Sequence, residues 1–100
     1  MDIAINHITA EAFADLGDGA IGIGRADGGL LSLRLHEVTS LGAHGPRPVP
    51  SFSATLTAPD GTQLAQGVYA LEHPTLGRLE LFLVPIGPKD GHPAYEIVFN

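Results

Sequence analysis

Hydrophobic and polar residues alternate along most of the chain with a period of two, which is the pattern of β-strands with one buried face. The clearest stretch is QGVYALEHPTLGRLELFLVPIG, at residues 66–87. Two alternating runs there flank the link Pro74-Thr75-Leu76-Gly77, and a short link with proline first and glycine last predicts an antiparallel hairpin. Because the second run is apolar on both faces after Glu80, it is expected to be the most buried strand.

Other runs alternate in the same way and extend the predicted sheet. Residues 30–39, 52–58 and 94–99 are each expected to form a strand, residues 20–25 a shorter glycine-rich strand, and residues 1–8 an edge strand. Alternation predicts that Ser53, Thr55 and Thr57 point outward, away from the core. The side chains predicted to face the core are Leu31, Leu33, Leu35, Phe52, Ala54, Leu56, Leu79, Leu81, Leu83, Tyr95, Ile97 and Phe99.

A short helix is predicted near the start of the chain. Thr9 is a typical N-cap before the segment AEAFADL, and Gly17 is a typical helix stop. Ile8 and Phe13 have the spacing of a hydrophobic staple, which would fix the angle at which the chain enters the helix. At about two turns, this helix needs to pack against the sheet to be stable.

The connections between strands also carry recognisable turn chemistry. Asp27-Gly28 and Pro59-Asp60-Gly61 predict tight turns, and residues 87–93 predict a polar loop. The proline-rich residues 40–51 predict a stiff crossover between two parts of the sheet. Together the elements predict a single mainly β domain over residues 1–100: an antiparallel sheet curled into a small barrel or a compact sandwich, with one short N-terminal helix plugging one end.

The hairpin and the final strand also carry a resemblance. QGVYALEHPTLGRLELFLVPIG, followed by YEIVFN at residues 95–100, resembles a small bacterial domain family of unknown function. Glu72-His73-Pro74 and Leu83-Val84-Pro85 stand in the expected order around the hairpin. The resemblance covers residues 52–100 closely and the N-terminal half loosely. It implies a short stand-alone protein, in some cases encoded near phage-tail-like or surface-appendage proteins, and it implies no catalytic residue.

The composition limits the kinds of molecule that the chain is expected to bind. Eleven acidic residues against four arginines and Lys89 give a net charge of −6, and the arginines are not clustered. Binding to nucleic acid or to an anionic membrane is therefore not expected, because both need a basic face. The chain has no cysteine, which suits a reducing compartment. Its N-terminus has neither the basic region nor the apolar run of a signal peptide, so the expected location is cytoplasmic.

Residue types that form catalytic, cofactor or metal sites in other proteins lack the required spacing in this chain. Gly22-x-Gly24 begins a dinucleotide fingerprint, but Asp27 stands at the place of the third glycine and a strand follows instead of a helix. No serine lies in a nucleophile elbow. The five histidines, His7, His36, His44, His73 and His92, lack the paired spacing of metal ligands. We predict no catalytic residue, no metal site and no cofactor.

The sequence also predicts roles for His73 and for the glutamates of the predicted strands. His73 opens the hairpin link, so its ring is expected to bond turn backbone and not to act as a base. The strand carboxylates Glu37, Glu72, Glu80 and Glu96 predict a solvated acidic surface. Glu80 is expected to pair with Arg78 or Arg34.

Two hypotheses for function follow. The favoured one is a non-enzymatic protein-interaction or accessory module that binds a protein partner, or itself, through an uncovered strand edge or through an apolar surface around Val84, Ile86 and Val98. The alternative is a small-ligand-binding or catalytic β-barrel. Its pocket would lie at the helix end, and its predicted lining residues are Phe13, Tyr69, Tyr95, His73 and Glu72.

Overall fold

Extended chain makes up most of the structure, a computed structural model that describes residues 7–17, 19–24, 29–42 and 50–99. The elements are α1 (Ala10–Ala14), β1 (Ile21–Gly24), β2 (Leu30–Gly42), β3 (Ser51–Thr57), β4 (Gly67–His73), β5 (Gly77–Lys89) and β6 (His92–Phe99). The predicted edge strand at residues 1–8 lies largely outside the described residues, and the Asp27-Gly28 turn lies wholly outside them. None of the described helical segments is long and apolar enough to cross a membrane.

The strands form one antiparallel sheet that closes in a ring, in the order β1-β2-β3-β6-β5-β4. The ring closes through a short ladder between β1 and β4, with Gly22 opposite Glu72 and Ile23 opposite Leu71. It falls short of a regular barrel, since the two long strands change partners along their length. Residues 30–33 of β2 pair with β1 and residues 34–42 pair with β3. The prediction of a mainly β, antiparallel fold with one short N-terminal helix is confirmed.

The predicted crossover at residues 40–51 is wrong. Strand β2 continues to Gly42, β3 begins at Ser51, and the two strands pair directly. The chain crosses instead at residues 58–66, which connect β3 to β4 although these strands are not neighbours in the ring. Prolines stiffen a connection whether it joins neighbours or distant strands, so their spacing does not report which strands pair.

The leucine rows face the interior of the ring, as alternation predicts. Leu79, Leu81 and Leu83 are buried, and so are Leu31 and Leu33. The aromatic row on β6 and the apolar row on β3 complete the core, which includes Phe52, Ala54, Leu56, Tyr95, Ile97 and Phe99. Each large side chain buried in this way contributes about 1.5–3 kcal/mol to folding.

The prediction of which strand is the most buried is wrong. Strand β5 is not the most buried strand, because its outer face has no second layer and Phe82 is 48% exposed. All seven residues of β3 are buried instead, including Ser53 and Thr55. Their small side chains lie on the outer face between longer neighbours on β2 and β6; Thr55, for example, lies between Glu37 and Glu96.

The hairpin links follow their turn residues. The predicted β4–β5 hairpin is confirmed, with Gly77 at φ 82°. The predicted polar loop at residues 87–93 shrinks to Asp90 and Gly91, which have φ values of 52° and 79°. Two successive positive φ values are the signature of a type I′ turn, whose twist matches that of the flanking strands. Pro88 is tolerated because the ladder is irregular between Ile86 and Lys89.

The helix lies over one end of the ring. Thr9 caps it by accepting a hydrogen bond from the backbone N–H of Ala12 at 3.0 Å, as predicted. Phe13 is fully buried, and its ring centroid lies 6.2 Å from that of Phe52 and 5.2 Å from that of Phe99. The helix end of the ring is therefore the end at which β3 begins and β4 and β6 finish. The far end is the one at which β1 finishes, β2 and β4 begin, and residues 58–66 cross.

Candidate functional site

The five residues of the predicted pocket are divided between the two ends of the ring. Phe13 and His73 lie together at the helix end, with ring centroids 5.2 Å apart, and both are buried. Tyr69 lies near the start of β4 and lines a cavity at the far end. The hydroxyl of Tyr95 accepts a hydrogen bond from the backbone N–H of Leu64, in the crossing segment. Glu72 is exposed.

A cavity does lie beside the helix, with a volume of about 270 Å³, but none of the predicted pocket residues lines it. Its walls come from α1 and the adjoining ends of β2 and β3, and include Thr9, Glu11, Ser40 and Phe52. The hydroxyl oxygen of Ser51 is buried at this cavity and has no hydrogen-bond partner among the described residues. A buried hydroxyl without a partner is a cost to folding, which the surrounding sequence does not reveal.

His73 joins the helix to the hairpin link. Its Nε2 lies 2.7 Å from the carbonyl oxygen of Phe13, and its Nδ1 lies 3.2 Å from the backbone nitrogen of Thr75 and 3.1 Å from that of Leu76. Because Nδ1 faces two N–H donors, it must act as an acceptor. The ring is therefore assigned the neutral tautomer with its hydrogen on Nε2. The hydroxyl of Thr75 makes a second connection between the hairpin link and the end of the helix by donating to the carbonyl of Asp15 at 2.8 Å. Backbone groups thus occupy both ring nitrogens, which is the structural role expected from the sequence.

Two of the remaining histidines each lie beside one aspartate. His36 lies 3.7 Å from Asp90, and His92 lies 2.9 Å from Asp60. His7 is exposed, and His44 lies outside the described residues. Within the described segments, no group of three or more histidine, cysteine, aspartate or glutamate side chains could hold a metal ion.

The strand carboxylates lie at separate places on the sheet. Glu80 pairs with Arg78, one of its two predicted partners, at 3.6 Å. Both side chains are well exposed, so this contact contributes little to stability. Glu37 and Glu96 flank Thr55, two strands apart.

The outer surface of β4, β5 and β6 carries a cluster of apolar side chains, the outer apolar face, formed by Val68, Phe82, Val84 and Val98. Val68 is 65% exposed, Phe82 48% and Val98 45%. Val68 lies directly opposite Phe82 across the β4–β5 ladder, and Val84 lies opposite Glu96 across the β5–β6 ladder. Phe82 precedes Val84 by two residues and Val98 follows Glu96 by two, so the four apolar residues share one face of adjoining strands.

Of the three residues predicted for an interaction surface, Val98 is exposed, while Val84 and Ile86 are half-buried. The sequence reasoning missed the two most exposed members, Val68 and Phe82. Alternation contained the signal, because Phe82 lies between the core-facing Leu81 and Leu83, and Val68 precedes Tyr69, which packs against the core. In place of one free strand edge, several stretches lack a register partner: residues 67–70 of β4 have none on β1, residues 77–83 of β5 have none on β6, and residues 97–99 of β6 have none on β5.

A cavity of about 490 Å³ lies at the far end of the ring. Buried Ile23 and Leu31 contribute apolar surface from β1 and β2, and half-buried Leu64 and Tyr69 contribute apolar surface from the crossing segment and β4. The rest of the lining comes from Gly24 and from residues 59–63. The sequence reasoning predicted no cavity here, because its walls come from four separate parts of the chain.

Residues 8–99 match a protein family described as a domain of unknown function, DUF6916, and the chain belongs to this family. The resemblance noted from the hairpin motif is thus confirmed for a family of unknown function, and it extends well into the N-terminal half. No curated protein and no solved structure matches the chain.

Proposed function

We propose that this DUF6916 domain is a non-enzymatic interaction module whose outer apolar face binds another protein. The observation that carries the proposal is the exposure of Val68, Phe82 and Val98 on adjoining strands. Isolated exposed apolar residues are common on protein surfaces, but a contiguous group on a sheet face is typical of an interaction site. Phe82 is the expected anchor, because aromatic side chains contribute most to interface energies.

The ring architecture favours a face over an edge as the binding surface. Every strand has a neighbour on both sides in the ring, and the stretches without a register partner, such as residues 67–70 of β4 and 77–83 of β5, face a neighbouring strand of the ring. A closed sheet offers little template for strand addition. Binding is therefore expected to depend on the side chains of the outer apolar face.

Charge favours a different protein over a second copy of this chain. Glu80 lies opposite Ala70, and Glu96 lies opposite Val84, so carboxylates adjoin the outer apolar face. The chain as a whole carries a net charge of −6. Two copies docked through this face would bring like charges together, whereas a partner with a basic rim would find complementary charge.

The cellular setting is also part of the proposal. The motif resemblance supports an accessory or structural subunit in a bacterial assembly of the phage-tail-like or surface-appendage kind. The lack of cysteine suits a cytoplasmic location.

The test compares Phe82→Ser with Leu41→Ser. Leu41 is 45% exposed, close to the 48% of Phe82, but lies on β2, away from the outer apolar face. Tagged wild type and both variants are used to capture partners from the native host, with quantitative mass spectrometry. A partner held by wild type and by Leu41→Ser, and lost at least about tenfold with Phe82→Ser, supports the proposal. Equal recovery with all three proteins would contradict it.

Light scattering coupled to size exclusion gives a second readout on the same three proteins. We expect each of them to be monomeric. A wild-type dimer that Phe82→Ser converts to a monomer would replace the proposed partner with a second copy of the chain.

A further inference from the structure

The far-end cavity has the size and the lining of a ligand site. Its volume of about 490 Å³ lies within the range of pockets that hold small organic molecules, about 300–1,000 Å³. Ile23 and Leu31, which are 5% and 8% exposed, belong to the core and supply its apolar surface. Tyr69 adds an aromatic ring to the wall. Such a surface fits an apolar body of about the size of a benzene ring.

The charge that the described lining residues contribute to the cavity is negative. Among the described residues that line the cavity, Asp60 is the only charged one, and Thr62 and Gln63 are uncharged polar residues. No lysine or arginine is found within this described part of the lining. The Asp60 carboxylate approaches His92 through Oδ1 at 2.9 Å, and its side chain is 80% exposed, so Oδ2 can receive a second donor. A cationic group is therefore favoured at the mouth of the cavity, and a carboxylate is disfavoured.

Hydrogen bonds hold the crossing segment in place before any ligand binds. The backbone N–H of Thr62 donates to the carbonyl of Pro59 at 3.1 Å, and Gly61, at φ 86°, lies inside this turn. The backbone N–H of Leu64 donates to the Tyr95 hydroxyl at 3.0 Å. The Tyr69 hydroxyl donates to the carbonyl of Ala65 at 2.6 Å. A wall that is already ordered loses little entropy on binding.

We propose that the far-end cavity, with an apolar interior and Asp60 at its mouth, binds a small organic amine with an aromatic or branched apolar body. The site is distinct from the outer apolar face, since Tyr69 lines the cavity whereas its neighbour Val68 points to the opposite side of β4. Either proposal therefore stands if the other fails.

The experiment uses two probes of equal size and opposite charge, benzylamine and benzoate, with the full chain labelled with ¹⁵N. Amide chemical shifts are followed during titration at about pH 8, where a histidine side chain in water is uncharged. We expect benzylamine to bind at millimolar concentration, shifting the amides of Ile23, Leu31 and Tyr69, and to bind at least about tenfold more tightly than benzoate.

Variants separate the specific charge from the general attraction of an acidic protein for cations. Asp60→Asn removes the carboxylate from the cavity, and it is expected to abolish the preference for benzylamine. Asp90→Asn is the matched control, because Asp90 also lies beside a histidine and is equally exposed but does not line this cavity. It is expected to keep the tenfold preference. Leu64→Trp, which adds bulk to the wall, is expected to weaken both probes.

The outcomes divide cleanly. A preference lost in Asp60→Asn and kept in Asp90→Asn supports the proposal. Equal affinity for the two probes in wild type, shifts that map away from the cavity, or a preference that both aspartate variants reduce alike would overturn it. Absence of binding by either probe up to about 50 mM would also overturn it, because a cavity of this size that accepts neither is not a site of this class.

Discussion

The bond between His73 and Phe13 connects parts of the chain that lie 60 residues apart, and its removal should be measurable. His73→Ala removes the hydrogen bond to the Phe13 carbonyl and the two that Nδ1 accepts from the link. At about 1 kcal/mol for each bond, these losses come to about 3 kcal/mol. Loss of the buried ring beside Phe13 adds about 1 kcal/mol. The free energy of unfolding should therefore fall by about 4 kcal/mol.

His73→Asn separates the two halves of this network. The carbonyl oxygen of asparagine can accept from the Thr75 and Leu76 amides, as in an Asx turn, but the side chain is too short to reach Phe13. The expected loss is about 2 kcal/mol, half of that in His73→Ala. Glu72→Ala is the control, because Glu72 is the exposed neighbour of His73, and its loss should be within about 0.5 kcal/mol of zero.

Urea denaturation followed by circular dichroism measures all three variants. A drop in the His73→Ala variant no larger than that in Glu72→Ala would refute the structural role of the ring. Equal losses in the alanine and asparagine variants would show that the contact with Phe13 alone accounts for the stabilisation. If His73→Ala unfolded like wild type but no longer captured a partner, the ring would belong to a binding site instead.

Three further changes test other features by the same denaturation assay. Gly91→Ala should lower the free energy of unfolding by about 1 kcal/mol, because residue 91 has φ 79°. Gly87→Ala is the control and should cost less, because residue 87 has open space for a methyl group and no positive φ. Equal costs would contradict the type I′ turn. Thr9→Ala should cost about 1 kcal/mol through loss of the helix cap, and Thr9→Ser should recover most of it. Ser51→Ala should be neutral or stabilising by up to about 1 kcal/mol, because it removes an unpartnered buried hydroxyl; a clear loss would show that the hydroxyl has a partner.

The outer apolar face and the far-end cavity give the molecule two separate surfaces. One is a sheet face between neighbouring strands, and the other is a recess at the end of the ring. His73, which stands in the hairpin motif that carries the family resemblance, belongs to neither surface, because backbone groups occupy both of its ring nitrogens. A conspicuous motif residue in this fold therefore has a structural explanation that requires no chemistry.

Features that depend on near neighbours could be predicted from the amino-acid order. Leu79, Leu81 and Leu83 face inward because a strand alternates whatever its partner is. Thr9 caps the helix and Gly77 adopts a positive φ because these conformations follow from local hydrogen bonds and sterics. The hairpin between β4 and β5 belongs to the same class, since a link of a few residues leaves its strands little choice but to pair.

Features that depend on which distant strands meet emerged only in the folded chain. The burial of Ser53 and Thr55 requires β3 to lie between β2 and β6, and the exposure of Phe82 requires the outside of β5 to be left uncovered. The far-end cavity exists because β1, β2, β4 and the crossing segment converge there. Strand order is selected by the total free energy of long-range pairing and burial, to which each residue contributes little, so no short stretch of sequence encodes it.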